Sequence, residues 1–219
     1  PMNKLIIYEL KIQNNSIKDP IFIVCVYISL LIVFPLSFGE NSNLLKEFSP
    51  AIIWICSLIT FLSALEKYFS ADASEGVLEQ YLLSNLPLSL IVLIKVICYW
   101  VSVGLPLIIL FPIISLFLNL PINLIGIISF SLFLGTLSFS FIGVMGSALV
   151  LGTKKSNVII ILLVLPLTVP VLIFGISSTI FSLQGISAIS SIYLQCMTLF
   201  FLAAVVPLIT SKAIKVYID

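Results

Sequence analysis

Charged residues are so sparse in this sequence that the apolar runs between them outline its elements. Uncharged stretches run from Pro20 to Gly39 (20 residues), Phe48 to Leu65 (18), Gln80 to Ile94 (15), Val96 to Thr153 (58) and Ser156 to Ser211 (56). An unbroken 58-residue helix at about 1.5 Å per residue would be roughly 87 Å long, nearly three times the ~30 Å hydrocarbon core of a bilayer, so that stretch must fold back. Its natural turn is the polar break at Asn119, Pro121 and Asn123. The last stretch is diluted by Ser177, Ser178, Thr179, Ser182, Gln184, Gly185 and Ser187 and breaks there. The pattern predicts six helices, near residues 20–38, 48–65, 90–118, 124–151, 157–181 and 189–210.

Composition narrows this reading to one class. Of 219 residues, 61% are hydrophobic and 9% are charged, against about 25% charged in an ordinary soluble domain. So little polar surface cannot cover a water-soluble globule, whereas lipid needs no such cover, and an all-α integral membrane protein of one transmembrane domain (1–219) is expected. Disordered chains, coiled coils and nucleic-acid binders are excluded. The net charge of +1 comes from ten lysines and nine acids, with no His, which removes the commonest metal ligand and general base.

The lysines set the expected orientation, because short cytoplasmic loops collect positive charge. With both termini cytoplasmic, Lys4, Lys11, Lys18, Lys67, Lys154, Lys155, Lys212 and Lys215 lie inside, Lys95 enters the third helix from that side, and Lys46 alone lies outside. The segment before the first span does not read as a cleavable signal, since the apolar run is too long and no small-residue cleavage site comes after it. In that segment Lys4, Lys11 and Lys18 recur every seven residues on one stripe, with Ile6, Leu10 and Ile17 on another. This periodicity predicts an N-terminal interfacial helix lying flat on the membrane.

Four of the nine acids fall between the second and third spans, within Glu66–Tyr81. Asp72 and Glu75 have capping-box spacing, and Gly76 would interrupt the short helix they begin before Leu78, Leu82 and Leu83 lead into span three. An acidic, partly apolar loop of this kind suits docking to a soluble partner, and equally a solvated connector. Cys25, Cys56, Cys98 and Cys196 fall in four different spans without a CxxC pair, and Met145 and Met197 are single thioethers in apolar helices. They read as packing residues, and no metal site and no catalytic residue are assigned. Span four carries small residues at Ser131, Gly135, Gly143 and Ser147, which permit close helix approach within the subunit or across a dimer. Pro166 and Pro170 mark a helix bend or gate in span five. Trp54 and Trp100 read as belt or packing residues, or as platforms for a flat ligand.

In this order and spacing, a series of motifs resembles the CcmB family, the haem exporter permeases of ABC complexes in cytochrome c maturation. The matching elements are Phe34-Pro35-Leu36-Ser37, Pro50-Ala51-Ile52-Ile53-Trp54, and Leu65-Glu66 leading to Asp72, Glu75-Gly76 and Leu78-Glu79-Gln80. Further on come Lys95-Val96 with Trp100, Gly104-Leu105-Pro106-Leu107, Leu134-Gly135-Thr136, and Leu163-Val164-Leu165-Pro166-Leu167-Thr168 with Pro170 and Leu172-Ile173-Phe174. The resemblance covers nearly the whole chain. Two positions depart from some members: Tyr99 stands where a His can precede the Trp of span three, and Lys67 where an Arg can come after the Leu-Glu of span two.

The resemblance implies an ABC exporter permease-like fold in a bacterial inner membrane. It also implies a homodimer within a complex that includes the CcmA ATPase, CcmC, CcmD and the haem chaperone CcmE. The chain has no GxxxxGK[ST] phosphate loop, so ATP would be bound by the partner, no intrinsic cofactor is expected, and the chain is not itself an enzyme. Glu66, Asp72, Glu75, Gly76, Glu79 and Gln80 become the expected ATPase-coupling residues, and haem is the cargo. Either haem passes through this subunit, with Tyr99 and Trp100 as the candidate contacts, or ATP hydrolysis drives release of haem-loaded chaperone. The lack of His favours the second. The competing functions are a permease for another lipidic cargo and a non-transporting assembly scaffold using the small-residue face of span four.

Overall fold

The computed structural model describes residues 20–39, 42–65, 69, 76–78, 81, 86–152 and 156–218. The stretch expected to form an interfacial helix, residues 1–19, lies outside them. Six helices are long and apolar enough to cross a membrane, and no strand occurs among the described residues. They are α1 (Pro20–Phe38), α2 (Ser42–Ala64), α3 (Leu88–Tyr99, continuing through a π-helical turn Trp100–Gly104 into Leu105–Phe117), α4 (Ile125–Leu149), α5 (Ser156–Leu183) and α6 (Ile189–Ile218). The protein is thus an all-α integral membrane protein.

Besides α3, which takes in Lys95 as expected, two helices run beyond their uncharged stretches. α2 starts at Ser42 and takes in Lys46 and Glu47, while α6 continues past Lys212 and Lys215 to Ile218. A charge count ends an element at the first charge, but a helix continues into the polar headgroup layer, where exposed lysines are solvated. The expected break at Asn119 is built as a helix C-cap. Asn119 adopts a positive φ of 52°, Leu120 N–H donates to the Ser115 carbonyl at 2.9 Å, and Asn119 N–H donates to Leu116 at 3.2 Å. The same paired bonds close α5 at Gly185, whose φ is 72°, with Ile186 N–H on Phe181 at 2.9 Å and Gly185 N–H on Ser182 at 3.2 Å.

Burial sorts the helices into an inner pair and an outer shell. In α2 and α4, 61% of the most apolar 18 residues are buried, against 17% in α1 and α6. α4 touches α2, α3, α5 and α6, and α1 packs on α2 and the second half of α3. α4 is also the one membrane helix without a proline; Pro35, Pro50, Pro106, Pro112, Pro166, Pro170 and Pro207 interrupt the donor ladders of the other five. Thr136, Ser138, Ser140 and Ser147 bond to carbonyls of its own preceding turn, for example Ser138 Oγ to Leu134 at 2.9 Å and Ser140 Oγ to Thr136 at 3.0 Å, so their polarity costs little inside the bundle.

The small residues of α4 are used within the subunit. Gly135 lies directly under the Trp54 ring of α2, and Gly175 of α5 covers the same ring, so a Cβ at either position would overlap it. A Cβ at Gly143 would come within 2.7 Å of Leu65. Ser131 meets Ser178 and Gln195. Of the two places the sequence left open for this face, within the subunit or across a dimer, the structure fills the first. A scaffold role that needs it as a docking surface loses that surface. Trp54 is wholly buried and is a packing residue of the bundle interior, not part of an interfacial belt.

Candidate functional site

The described apolar residues between α2 and α3 pack into the bundle. Phe69, Val77, Leu78 and Tyr81 are all buried and belong to the same core as α2, α3 and α4. Between Phe69 and Val77 stands Gly76, half-buried and with a φ of 70°. That left-handed conformation is readily adopted by glycine and strained for a β-branched residue. Glu66, Asp72, Glu75, Glu79 and Gln80, expected to face a partner, lie outside the described residues, so Gly76 is the member of that set whose conformation is described.

The first half of α3 faces this segment. Lys95 is 2% exposed and is the one charged side chain buried among the described residues. Its Nζ lies 5.2 Å from the centroid of the Phe69 ring and 5.4 Å from that of Tyr81. One turn further on, Tyr99 is fully buried. Its hydroxyl donates to the Phe61 carbonyl of α2 at 2.8 Å, and its ring meets that of Phe61 edge-on at 5.8 Å. The phenol is therefore enclosed by the bundle and does not present its oxygen to a cargo in this conformation.

Trp100 opens the π-helical turn and is half-buried. Its Nε1–H donates to Thr136 Oγ1 of α4 at 3.1 Å, and its ring stands edge-on to Phe133 at 5.2 Å. The turn ends at Gly104, where a Cβ would come within 2.6 Å of the Trp100 indole. The sequence had α3 as one regular helix. The extra residue of the π turn shifts the register so that Trp100 folds over Gly104, and no apolar-periodicity signal marks it because nearly every position around it is apolar.

At the opposite end of the bundle a polar cluster joins three helices. Ser131 Oγ and Ser178 Oγ are 2.6 Å apart, Gln195 Nε2 donates to Ser131 at 2.9 Å, and Ser131 lies 3.1 Å from Gln195 Oε1. All three residues are buried. Between α1 and the second half of α3 runs an apolar groove of about 350 Å³, lined by Leu31, Pro35, Leu110, Ile114 and Phe117 among others. Pro166 and Pro170 are exposed on the outer face of α5, which continues through both. Cys56 and Cys98 are buried and Cys25 is exposed.

The sequence singled out Tyr99 and Trp100 as a pair, but the structure gives them different neighbours: one is sealed against α2 and the other bonded to α4. It missed the meeting of Lys95 with Phe69 and Tyr81. A lone lysine interrupting an otherwise uncharged run of more than seventy residues, from Gln80 to Thr153, was the signal to read, since an ionisable group at membrane depth needs a partner.

Known proteins match this chain along its length. The family model described as CcmB protein matches residues 2–217. Heme exporter protein B of Escherichia coli (strain K12) is 46% identical over 163 residues, covering 74% of this chain and 73% of that protein. Heme exporter protein B of Pseudomonas aeruginosa is 36% identical over 171 residues, 78% of this chain and 75% of that one. The protein of the same name from Paracoccus denitrificans is 30% identical over 216 residues, 98% of this chain and 99% of its own. A six-helix membrane bundle matched by one family model almost end to end, and by a relative over nearly its full length, belongs to the CcmB family.

Proposed function

We propose that this chain is the membrane permease subunit of a haem-export complex serving cytochrome c maturation, and that the 66–83 segment couples it to a separate ATPase. The observation that carries the coupling role is the left-handed turn at Gly76, placed between buried anchors at Phe69 and at Val77, Leu78 and Tyr81. A segment fastened by its apolar residues, with four carboxylates in its sequence and a turn built on glycine, suits a soluble partner. The partners are CcmA, CcmC, CcmD and the chaperone CcmE, with two copies of this chain in the complex. The membrane is the bacterial inner membrane, with both termini and the 66–83 segment on the cytoplasmic side. Family membership argues against a permease for another lipidic cargo.

Of the two routes for haem, the arrangement supports ATP-driven release of loaded chaperone. Axial ligation draws on His, Cys, Met or Tyr, and here there is no His while the Tyr99 hydroxyl is given to the Phe61 carbonyl. The test is purification of the chain with its ATPase, CcmC and CcmD, followed by ATPase assay and haem spectroscopy with and without the chaperone. The expected result is chaperone-dependent ATP hydrolysis, and a haem spectrum and maturation yield unchanged by Tyr99→Phe. Loss of both haem absorption and maturation in that variant would instead place haem passage through this subunit.

A further inference from the structure

Lys95 is a costly residue to bury on a membrane helix, and the structure shows what surrounds it. An ammonium withdrawn from water is retained where other groups compensate its lost hydration. Here two aromatic rings lie within the ~6 Å at which a cation is drawn to a ring face. Both rings come from the segment between α2 and α3, twelve positions apart in sequence, and both are buried. The two anchors flank Gly76 and converge on a single atom of α3.

The residues just beyond Lys95 tie α3 to the rest of the bundle. Tyr99, four residues on, is bonded to α2 through the Phe61 carbonyl. Trp100, five residues on, is bonded to α4 through Thr136 and begins the π turn. α3 therefore carries successive attachments to the loop, to α2 and to α4 within two turns. The last coincides with the place where its hydrogen-bond register changes, and a π turn can be gained or lost with a one-residue shift of the helix beyond it.

We propose that Lys95 is a positioning residue that clamps the 66–83 segment to α3 through Phe69 and Tyr81, so that displacement of the segment is delivered to the π-helical turn Trp100–Gly104. The inference rests on the reading of this segment as the ATPase-coupling element. The clamp makes α3 the first membrane helix to respond when the partner moves the loop, with the register change at Trp100 as the point of compliance.

Two readouts on the full chain in membrane vesicles with its partner subunits test this. Leu78, three residues before Tyr81, is buried, so Leu78→Cys in a background lacking the four native cysteines reports loosening as faster labelling by a membrane-impermeant maleimide. Lys95→Met keeps the length of the side chain and removes its charge; it is expected to speed labelling at least tenfold. It should also cut chaperone release at least tenfold, with ATP hydrolysis within twofold of the parent. Lys95→Arg, which retains a cation, should restore both. If Lys95→Met fails to insert, Tyr81→Leu should behave as the loosened form and Tyr81→Phe, which keeps the ring, as the parent. Unchanged labelling in Lys95→Met and Tyr81→Leu overturns the clamp. Faster labelling with unimpaired chaperone release overturns transmission through α3 and leaves the clamp in place, whereas loss of ATPase co-purification on altering Gly76 is the separate test of the coupling reading.

Discussion

Trp54 shows how residue size, rather than hydrophobicity, organises this interior. Its ring fits because Gly135 and Gly175 lack a Cβ on either side, its Nε1–H donates to Thr179 at 3.1 Å, and Phe139 closes the edge at 6.2 Å. Gly135→Val or Gly175→Val must expel the ring or push the helices apart, at about 1–3 kcal/mol or more. Each is expected to lower the melting temperature of the detergent-purified chain by several degrees, and Trp54→Ala should partly rescue the Gly135→Val chain; an unchanged melting temperature in both single variants would contradict this packing. The two tryptophans stand out in the sequence, but their surroundings do not. In a water-soluble protein, apolar periodicity separates a buried face from an exposed one. In a bilayer both faces are apolar, so the signal passes to the small residues opposite the large ones. The stripe at Gly135 and Gly143 is legible for that reason, while its occupants, Trp54 and Leu65, are not.

At the scale of elements, the described helices fall where the apolar runs and their polar breaks put them, and the turns at Asn119 and Gly185 obey the chemistry of helix C-caps. The ends at Ser42 and Ile218 were hidden because charges in the headgroup layer do not stop a helix. The π turn in α3 was hidden because it changes hydrogen bonding without changing polarity. Polar residues join the elements as well. Ser131, Ser178 and Gln195 link α4, α5 and α6 inside a bundle where the alternative is an unsatisfied amide. Such bonds between membrane helices contribute about 0.6 kcal/mol on average and at most ~1.7. Gln195→Leu should therefore cost about 1 kcal/mol in reversible unfolding, less than the glycine substitutions, because Ser131 and Ser178 remain paired. A loss comparable to that of Gly135→Val would mean that the cluster holds α4, α5 and α6 together as strongly as the packing of Trp54 holds α2, α4 and α5.

For the whole molecule, six passes return the last helix to the end of the bundle from which the first departs, and the meeting of Gly152 with Tyr217 places the ends of α4 and α6 together. The orientation proposed from the distribution of lysines puts that end on the cytoplasmic side. Reporter fusions after Ser74 and Lys155 should then read as cytoplasmic and one after Gln184 as exported; an exported signal at Ser74 would invert the molecule and remove the 66–83 segment from the ATPase. The segment's acidic character was readable from sequence. The isolation of Lys95 signalled that it needed a partner, but not which one, because the contact joins residues of different elements and depends on three-dimensional approach.

If the 66–83 segment joins the permease to its energy source, as proposed, the turn at Gly76 is where a single substitution should break the link. At a φ of 70° a valine is strained, whereas the buried anchors on either side are left unaltered. The measurement is the amount of ATPase co-purified with Gly76→Val in the complete complex, together with release of haem-loaded chaperone, each normalised to the membrane subunit recovered. At least one is expected to fall tenfold or more while the subunit is inserted at the parent level. Co-purification and release both equal to the parent would contradict it and return the segment to a solvated connector.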